Sequence, residues 1–265
     1  MTDQLSPKNA YETLPLIYDE AGFSDFAKKY VPDFIQYLQE QGWIGRRVLD
    51  LGCGTGVSIE ALSERRMSVT GVDASQEMIA RATARVTALG YDAQLIRENL
   101  QNYIPLEKGF DLILCLNVLN HISSVRDLEK VFQRANWGLE TGKVFLFDLH
   151  TIRGLSESIG NKTEIYHDSN DLFVVIDNQF DYETSSLWQY YKFFFRQPGG
   201  DFIRSEEDHI LRGYPYRAVV GMLQRSGFQL QHAINLYFQP FDITTDTTGR
   251  VVIIAEKTRD FNQGS

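Results

Sequence analysis

Residues 48–57, VLDLGCGTGV, constrain the fold most strongly. A short apolar strand pattern runs to Leu51, glycines follow at 52, 54 and 56, and an apolar helix pattern begins at Val57. A strand that passes through a glycine loop straight into a helix is the first half of a β-α-β unit, whose second strand runs parallel to the first. The alternation continues. Residues 68–72 read as a strand. Residues 75–89 read as a helix with Ser75 as N-cap, Glu77 in the first turn and Gly90 as the stop. Residues 93–96 form a third strand pattern, and 110–116 are a continuous apolar run of buried-strand type. A helix over 124–137 and a strand over 143–149 complete the series. The order predicts an α/β fold with a doubly wound, mostly parallel sheet.

Before this series, residues 23–41 read as a helix with Phe26, Tyr30, Phe34, Tyr37 and Leu38 on one face. After Thr151 the rhythm breaks. Residues 172–182, 187–196 and 201–211 read as three strands joined by turn-rich DYETSS and QPGGD. A helix over 214–226 and strands over 228–238 and 250–256 then return. The expected organisation is an N-terminal arm and helix (1–45), a seven-stranded core (46–150 and 214–258), and an inserted antiparallel β lid (151–213).

The net charge of −9 gives no overall basic surface for a phosphate backbone, so nucleic acid is not an expected partner. No segment approaches the roughly 18 apolar residues of a membrane span, and residues 1–12 show no apolar leader. Two cysteines, Cys53 and Cys115, offer no disulfide framework, which fits a reduced, cytoplasmic setting.

The loop spacing is G-x-G-x-G, whereas dinucleotide-binding loops use G-x-G-x-x-G. Asp50, two positions before the first glycine, would repel a pyrophosphate and suits a cationic ammonium group. Asp73 ends the next strand, where a carboxylate can accept both hydroxyl hydrogens of a ribose. An NAD-dependent oxidoreductase is the alternative that shares this layout.

Together, the D-L-G-C-G-T-G and G-V-D-A-S motifs resemble those of the class I, S-adenosylmethionine-dependent methyltransferases, over about residues 11–149 and again over 214–257. The resemblance implies a Rossmann-like core with S-adenosylmethionine as cofactor. It implies that Asp50, Gly52, Cys53, Gly54 and Gly56 line the methionine end and that Asp73 holds the ribose. Ala74 and Met78 would flank the adenine. Asn99 and Leu100 stand where the family usually has an Asp-hydrophobic pair. Leu116 and Asn117, at the end of the fourth strand, would face the methyl group. Tyr11 and Tyr18 would fold over the cofactor, as in the small-molecule members.

The amino-methyltransferase signature N/D-P-P-Y is absent, which argues against DNA-base or glutamine methylation. His121 is a candidate general base, and Tyr18 and His209 are further candidate catalytic groups. Asn120 and His150 are candidate acceptor contacts. Residues 206–217, EEDHILRGYPYR, resemble a segment of bacterial small-molecule methyltransferases in which Glu-x-His and Arg-x-Tyr precede the last helix; this adds Arg212 and Tyr214. Transfer from a sulfonium needs no metal, and none is expected. Along the aromatic strand, Trp188, Tyr190, Lys192 and Phe194 alternate with Tyr191, Phe193 and Phe195. The insertion is expected to cover the carboxyl ends of the parallel strands, with Tyr191 and Phe194 against a small-molecule methyl acceptor. The same aromatics would serve a homodimer, so monomer and homodimer both stay open. So does a regulatory protein that binds S-adenosylmethionine or S-adenosylhomocysteine without catalysis, because no single residue is an unambiguous base.

Overall fold

The computed structural model describes residues 10–261; residues 1–9 of the expected arm lie outside it. Its strands, in chain order, are β1 (Arg47–Leu51), β2 (Ser68–Asp73), β3 (Ala93–Arg97), β4 (Phe110–Cys115), β5 (Leu139–His150), β6 (Thr163–Asp168), β7 (Leu172–Asp181), β8 (Ser186–Arg196), β9 (Phe202–Arg212), β10 (Phe228–Ile234) and β11 (Arg250–Lys257). The helices are α1 (Leu14–Ile17), α2 (Asp25–Glu40), α3 (Val57–Ser63), α4 (Gln76–Leu89), α5 (Val125–Gly138) and α6 (Tyr216–Arg225). Seven strands form one sheet in the order β10-β11-β5-β4-β1-β2-β3. Strands β1 to β5 pair in parallel, and β11 is antiparallel to both β5 and β10. The doubly wound α/β expectation holds. Among the described residues no helix is long and apolar enough to cross a membrane.

Local signals explain the helices that frame the site. The Ser75 hydroxyl caps α4 by accepting from the Met78 amide at 3.3 Å, and Gly90 ends that helix at φ +70°. Ser124 caps α5 in the same way, accepting from the Asp127 amide at 3.0 Å. One face of the sheet buries Phe145 and Phe147 against α5 and α6, through Leu128, Phe132 and Leu223. The other buries Leu146 and Ile254 against α2 and α3, through Phe34, Ile35, Ile59 and Leu62. These strands are covered on both faces, which is why they read as continuous apolar runs.

The insertion is a second sheet of four strands, β6-β7-β8-β9, all antiparallel. The sequence led to three. The additional strand, β6, is an edge strand whose Ile165 and Tyr166 are both exposed, so it carries no alternating burial pattern. Along β8, Leu187, Gln189, Tyr191 and Phe193 are buried on the inner face. Phe194 points the other way and packs beside Phe173 with ring centroids 6.1 Å apart. Its expected place at the acceptor is therefore corrected, because the strand's alternation puts it on the outer face.

The arm fills the inner face of this sheet. Leu14, Ile17 and Ala21 pack against Leu172, Val174, Ile176 and Phe193. The root of the insertion is held by backbone. The Thr151 amide donates to the Gly249 carbonyl at 3.0 Å, and a Cβ at Gly154 would run into that same carbonyl. At the other end, the Gly213 amide donates to the Ser185 carbonyl at 2.8 Å, a bond within the insertion, and the Asn120 side chain from the core donates to the Arg212 carbonyl at 2.8 Å.

Candidate active site

The carboxyl ends of β1 to β4 open onto a cleft of about 770 Å³. The turn after β1 shapes its floor. The Gly52 and Cys53 amides donate to the Val72 carbonyl at 2.7 and 3.0 Å, which draws the glycine loop against β2. Gly52 sits at φ +79°, and a Cβ there would collide with the Val118 side chain from the loop after β4. Only glycine satisfies both demands. Gly54 also lines the cleft. Gly56 does not, contrary to expectation; at φ +81° its ideal Cβ would lie 3.1 Å from Ala82 Cβ, so its work is close packing of the loop against α4.

Asp73 ends β2 inside the cleft. Its Oδ2 accepts the Gly54 amide at 3.0 Å and its Oδ1 the Ser75 amide at 2.9 Å. Burial raises its carboxyl above the usual range, partly offset by those amides. Ala74, Met78, Asn99, Leu100, Leu116 and Asn117 all line the same cleft. The Asn99 Oδ1 accepts the Gln101 amide at 2.9 Å, so this side chain also builds the turn after β3. Asp50 lies beneath, in a small annex of about 40 Å³ that it shares with Cys53, Tyr18 and Asn117. It is buried, takes a hydrogen bond from the Ser58 hydroxyl, and is pushed up to about 7 by burial.

A second chamber of about 430 Å³ adjoins the cleft, between the arm, the ends of β4 and β5, and the inserted sheet. Tyr11, Tyr18, Asn117 and His121 line both spaces. Asn117 holds φ +60°, a costly conformation for a side chain other than glycine. Asp148 fixes it by accepting its amide at 2.7 Å, and Arg250 by donating to its Oδ1 at 2.6 Å. His121 approaches the Tyr11 hydroxyl at 3.4 Å, and burial holds its imidazole down to about 3, so it is neutral at neutral pH. His150 is also driven well below the usual histidine range, by burial and then by Arg250, whose guanidinium contacts its Nε2.

Asn120 lines the chamber but is fully used as a clamp. Its amide donates to the carbonyls of His150 at 3.1 Å and Arg212 at 2.8 Å, and its oxygen accepts the His150 amide at 2.8 Å. Tyr191 and His209 reach the chamber from the inserted sheet. Arg212 and Tyr214 do not line it. Arg212 donates to the Ser123 carbonyl and Tyr214 to the Ile122 carbonyl, so they hold the loop after β4 from behind and are corrected as acceptor contacts.

Two groups went unread in the sequence. Arg250 starts β11 and pairs with the buried Asp148 at 3.0 Å. Glu207, fully buried on β9, accepts the amides of Tyr11 at 3.0 Å, Leu14 at 2.7 Å and Thr13, and contacts His209 Nε2 at 3.1 Å. Burial pushes its carboxyl up, but the bonds from His209 and from the Leu14 and Thr13 amides outweigh it and the net shift is downward. At its other end the arm is tied to the core, where Asp19 accepts the Thr55 hydroxyl at 2.7 Å and pairs with Arg85 at 2.6 Å. The arm is a strap fastened to the core and to the insertion. The Glu-x-His spacing at 207–209 was visible; the burial that makes its carboxylate a backbone clasp was not.

A family model described as a methyltransferase domain matches residues 48–142. A solved S-adenosylmethionine-dependent methyltransferase from Clostridium acetobutylicum ATCC 824 superposes with a TM-score of 0.80 at 28% identity, covering 94% of this chain and 99% of its own. YqeM of Bacillus subtilis (strain 168), a relative named as a methyltransferase, is 26% identical over 221 residues, 83% of this chain and 87% of its own. The CcbJ methyltransferase of Streptomyces caelestis shares the fold, with a TM-score of 0.77 at 17% identity over 93% of this chain and 96% of its own. Residues 48–142 are thus a methyltransferase domain, the fold is the class I, Rossmann-like one, and the cofactor is S-adenosylmethionine.

The residues present fit that cofactor. An acidic residue stands at the end of each of the first two strands, one buried beside the glycine loop and one aimed into the cleft. Apolar Ala74, Met78, Leu100 and Ile122 line the same cleft and suit a flat base.

Proposed function

We propose that the protein methylates a small-molecule acceptor held in the chamber beneath the four-stranded sheet. The observation that carries this reading is the shared wall: Tyr11, Tyr18, Asn117 and His121 face both the cofactor cleft and the chamber. The chamber's volume suits a small organic ligand. The division of labour follows the expected segments. The described part of the arm (10–45) would roof both spaces, the core (46–150 and 214–258) would hold the cofactor, and the insertion (151–213) would select the acceptor.

When bound, the sulfonium supplies a methyl group already activated for in-line displacement, so placement does most of the work. Asp73 would hold the ribose and Asp50 the amino-acid end. Asn117, clamped by Asp148 and Arg250, fixes the wall at the junction. His121 is neutral and can accept the proton that the acceptor sheds. With its imidazole held to about 3 it is too weak to strip an alcohol beforehand; its part is to take a proton as the new bond forms. Tyr11 and Tyr18 close the junction against water.

The test is formation of S-adenosylhomocysteine from S-adenosylmethionine with a panel of small amines, phenols and acids. Turnover with at least one of them that falls on His121→Asn, with cofactor affinity retained, is the expected result. Cofactor binding with no small-molecule turnover, alongside transfer to a protein or nucleic acid, would overturn the reading.

A further inference from the structure

Resting on that proposed function, we infer that the acceptor is a small cationic amine whose ammonium group sits in the chamber among Phe23, Tyr166, Asp25 and Glu164. Three observations converge on it.

The first is aromatic. Phe23 and Tyr166 are stacked with centroids 4.2 Å apart and planes at 9°, Tyr18 stacks beside Phe23 at 5.6 Å, and Tyr191 stands 5.9 Å from it. An ammonium ion is attracted to the negative face of an aromatic ring and not to its edge. Phe23 is stacked by both Tyr18 and Tyr166, so the faces left for a cation belong to the tyrosines around it.

The second is charge. Asp25, in the first turn of α2, and Glu164, on β6, both line the chamber. The Asp25 carboxylate has no hydrogen-bond or ion-pair partner among the described residues. Glu164 accepts from Asn178 Nδ2 at 3.3 Å and lies 3.5 Å from the ammonium of Lys162, which is half-exposed and outside the chamber lining. The cation in the lining, Arg250, is already committed. Its guanidinium pairs with Asp148, donates to Asn117 and lies 4.1 Å from the Phe26 ring centre. Of the three histidines in the lining, burial holds His121 at about 3 and His150 well below its usual value, and His209 is committed to the Glu207 carboxylate at 3.1 Å. A carboxylate or phosphate acceptor would find no free positive charge here and two negative ones.

The third is a free donor. The Tyr18 hydroxyl has no protein partner among the described residues, and its half-buried side chain lines both spaces. Burial pushes it well above its usual value, so it remains protonated and available to an acceptor's lone pair.

The arrangement also separates the two ends of the acceptor. Asp25, Glu164 and Tyr166 line the chamber but neither the cleft nor the annex around Asp50, while Tyr11, Tyr18, Asn117 and His121 line both chamber and cleft. An ammonium anchored in the aromatic corner is protonated and cannot itself be the nucleophile. The acceptor therefore carries a second, uncharged nucleophilic atom, spaced to reach the junction.

The experiment is calorimetry on the full-length protein saturated with S-adenosylhomocysteine. Three probes share a phenol ring and a short chain: tyramine ends in an ammonium, 4-ethylphenol in no charge, and 3-(4-hydroxyphenyl)propanoate in a carboxylate. The expected ranking puts tyramine tighter than 4-ethylphenol and at least about tenfold tighter than the propanoate. In the Asp25→Asn/Glu164→Gln double variant the tyramine preference disappears while S-adenosylhomocysteine affinity stays unchanged. Binding of the neutral or anionic probe as tight as tyramine overturns the inference alone, and so does a preference that survives in the folded double variant. No binding by any of the three removes the chamber as an acceptor site, and with it the proposed function. The wild-type ranking decides the matter even if the double variant fails to fold.

Discussion

Replacing Glu207 with glutamine tests whether the arm is a strap that retains the cofactor. The carboxylate takes four donors: the amides of Tyr11, Thr13 and Leu14, and His209 Nε2. Glutamine keeps one oxygen for the Thr13 and Leu14 side. Its amide nitrogen would replace Oε2, and so would face the Tyr11 amide as donor against donor. A hydrogen bond to a charged group contributes about 1.5–3 kcal/mol, and a buried donor left unanswered costs about 1–3 kcal/mol. A net loss of about 2–3 kcal/mol in strap closure follows, with part of the cost relieved as the arm lifts and meets water. Because Tyr11 and Leu16 line the cofactor cleft, S-adenosylmethionine affinity should fall by about 30- to 100-fold. Calorimetry reads the affinity, and hydrogen exchange at the amides of residues 11, 13 and 14 reads the strap itself. Affinity within about threefold of wild type, with unchanged exchange at those amides, would refute the reasoning. A lower melting temperature with unchanged affinity would show Glu207 to be structural only.

Asp73→Ala should abolish measurable S-adenosylmethionine binding while the melting transition stays cooperative; retained affinity would remove Asp73 from the cofactor site. Tyr191→Ala should raise the acceptor KM with cofactor affinity unchanged, whereas Phe194→Ala should leave both alone; equal losses in the two variants would contradict the face assignment of β8. Asp50 in the cofactor-free protein is held up to about 7, so it keeps its proton below that pH and must release it to receive a cationic amino group. S-adenosylmethionine affinity should thus rise with pH through about 7 and level off above it, and a titration of Asp50→Asn should be flat across the same window. Gly56→Ala places a Cβ at φ +81° and against Ala82, and should lower stability by about 1–3 kcal/mol in denaturant unfolding.

The parallel core was legible because its determinants are local and repeated. Buried strands such as β4 read as apolar runs, Ser75 and Ser124 mark helix starts, and the glycine loop fixes where the cofactor lies. Gly56 was read with the other loop glycines as a cofactor contact; the motif could not show that its place is set by packing against Ala82. What stayed hidden depends on partners distant in sequence. Glu207 acts on residues 193 to 196 positions away, and Arg250 reaches Asn117 across 133. Strand β6 gains its hydrogen bonds from β7 and has little apolar content of its own. The alternation of β8 was visible, but with apolar side chains on both faces it could not show which face is inward. Tyr191 and Phe194 were grouped together for that reason.

The backbone contact at the root of the insertion decides which part of the molecule can open. Gly154 is pressed on Gly249, the Thr151 amide is bonded to the Gly249 carbonyl, and the Asn120 side chain holds the Arg212 carbonyl, so both ends of the four-stranded sheet are tied to the core. If ligands enter by an opening of this region, the strap is the part to move, through its bonds to Glu207 at one end and to Thr55 and Arg85 at the other. Because the strap lines both the cleft and the chamber, its release would unroof cofactor and acceptor together.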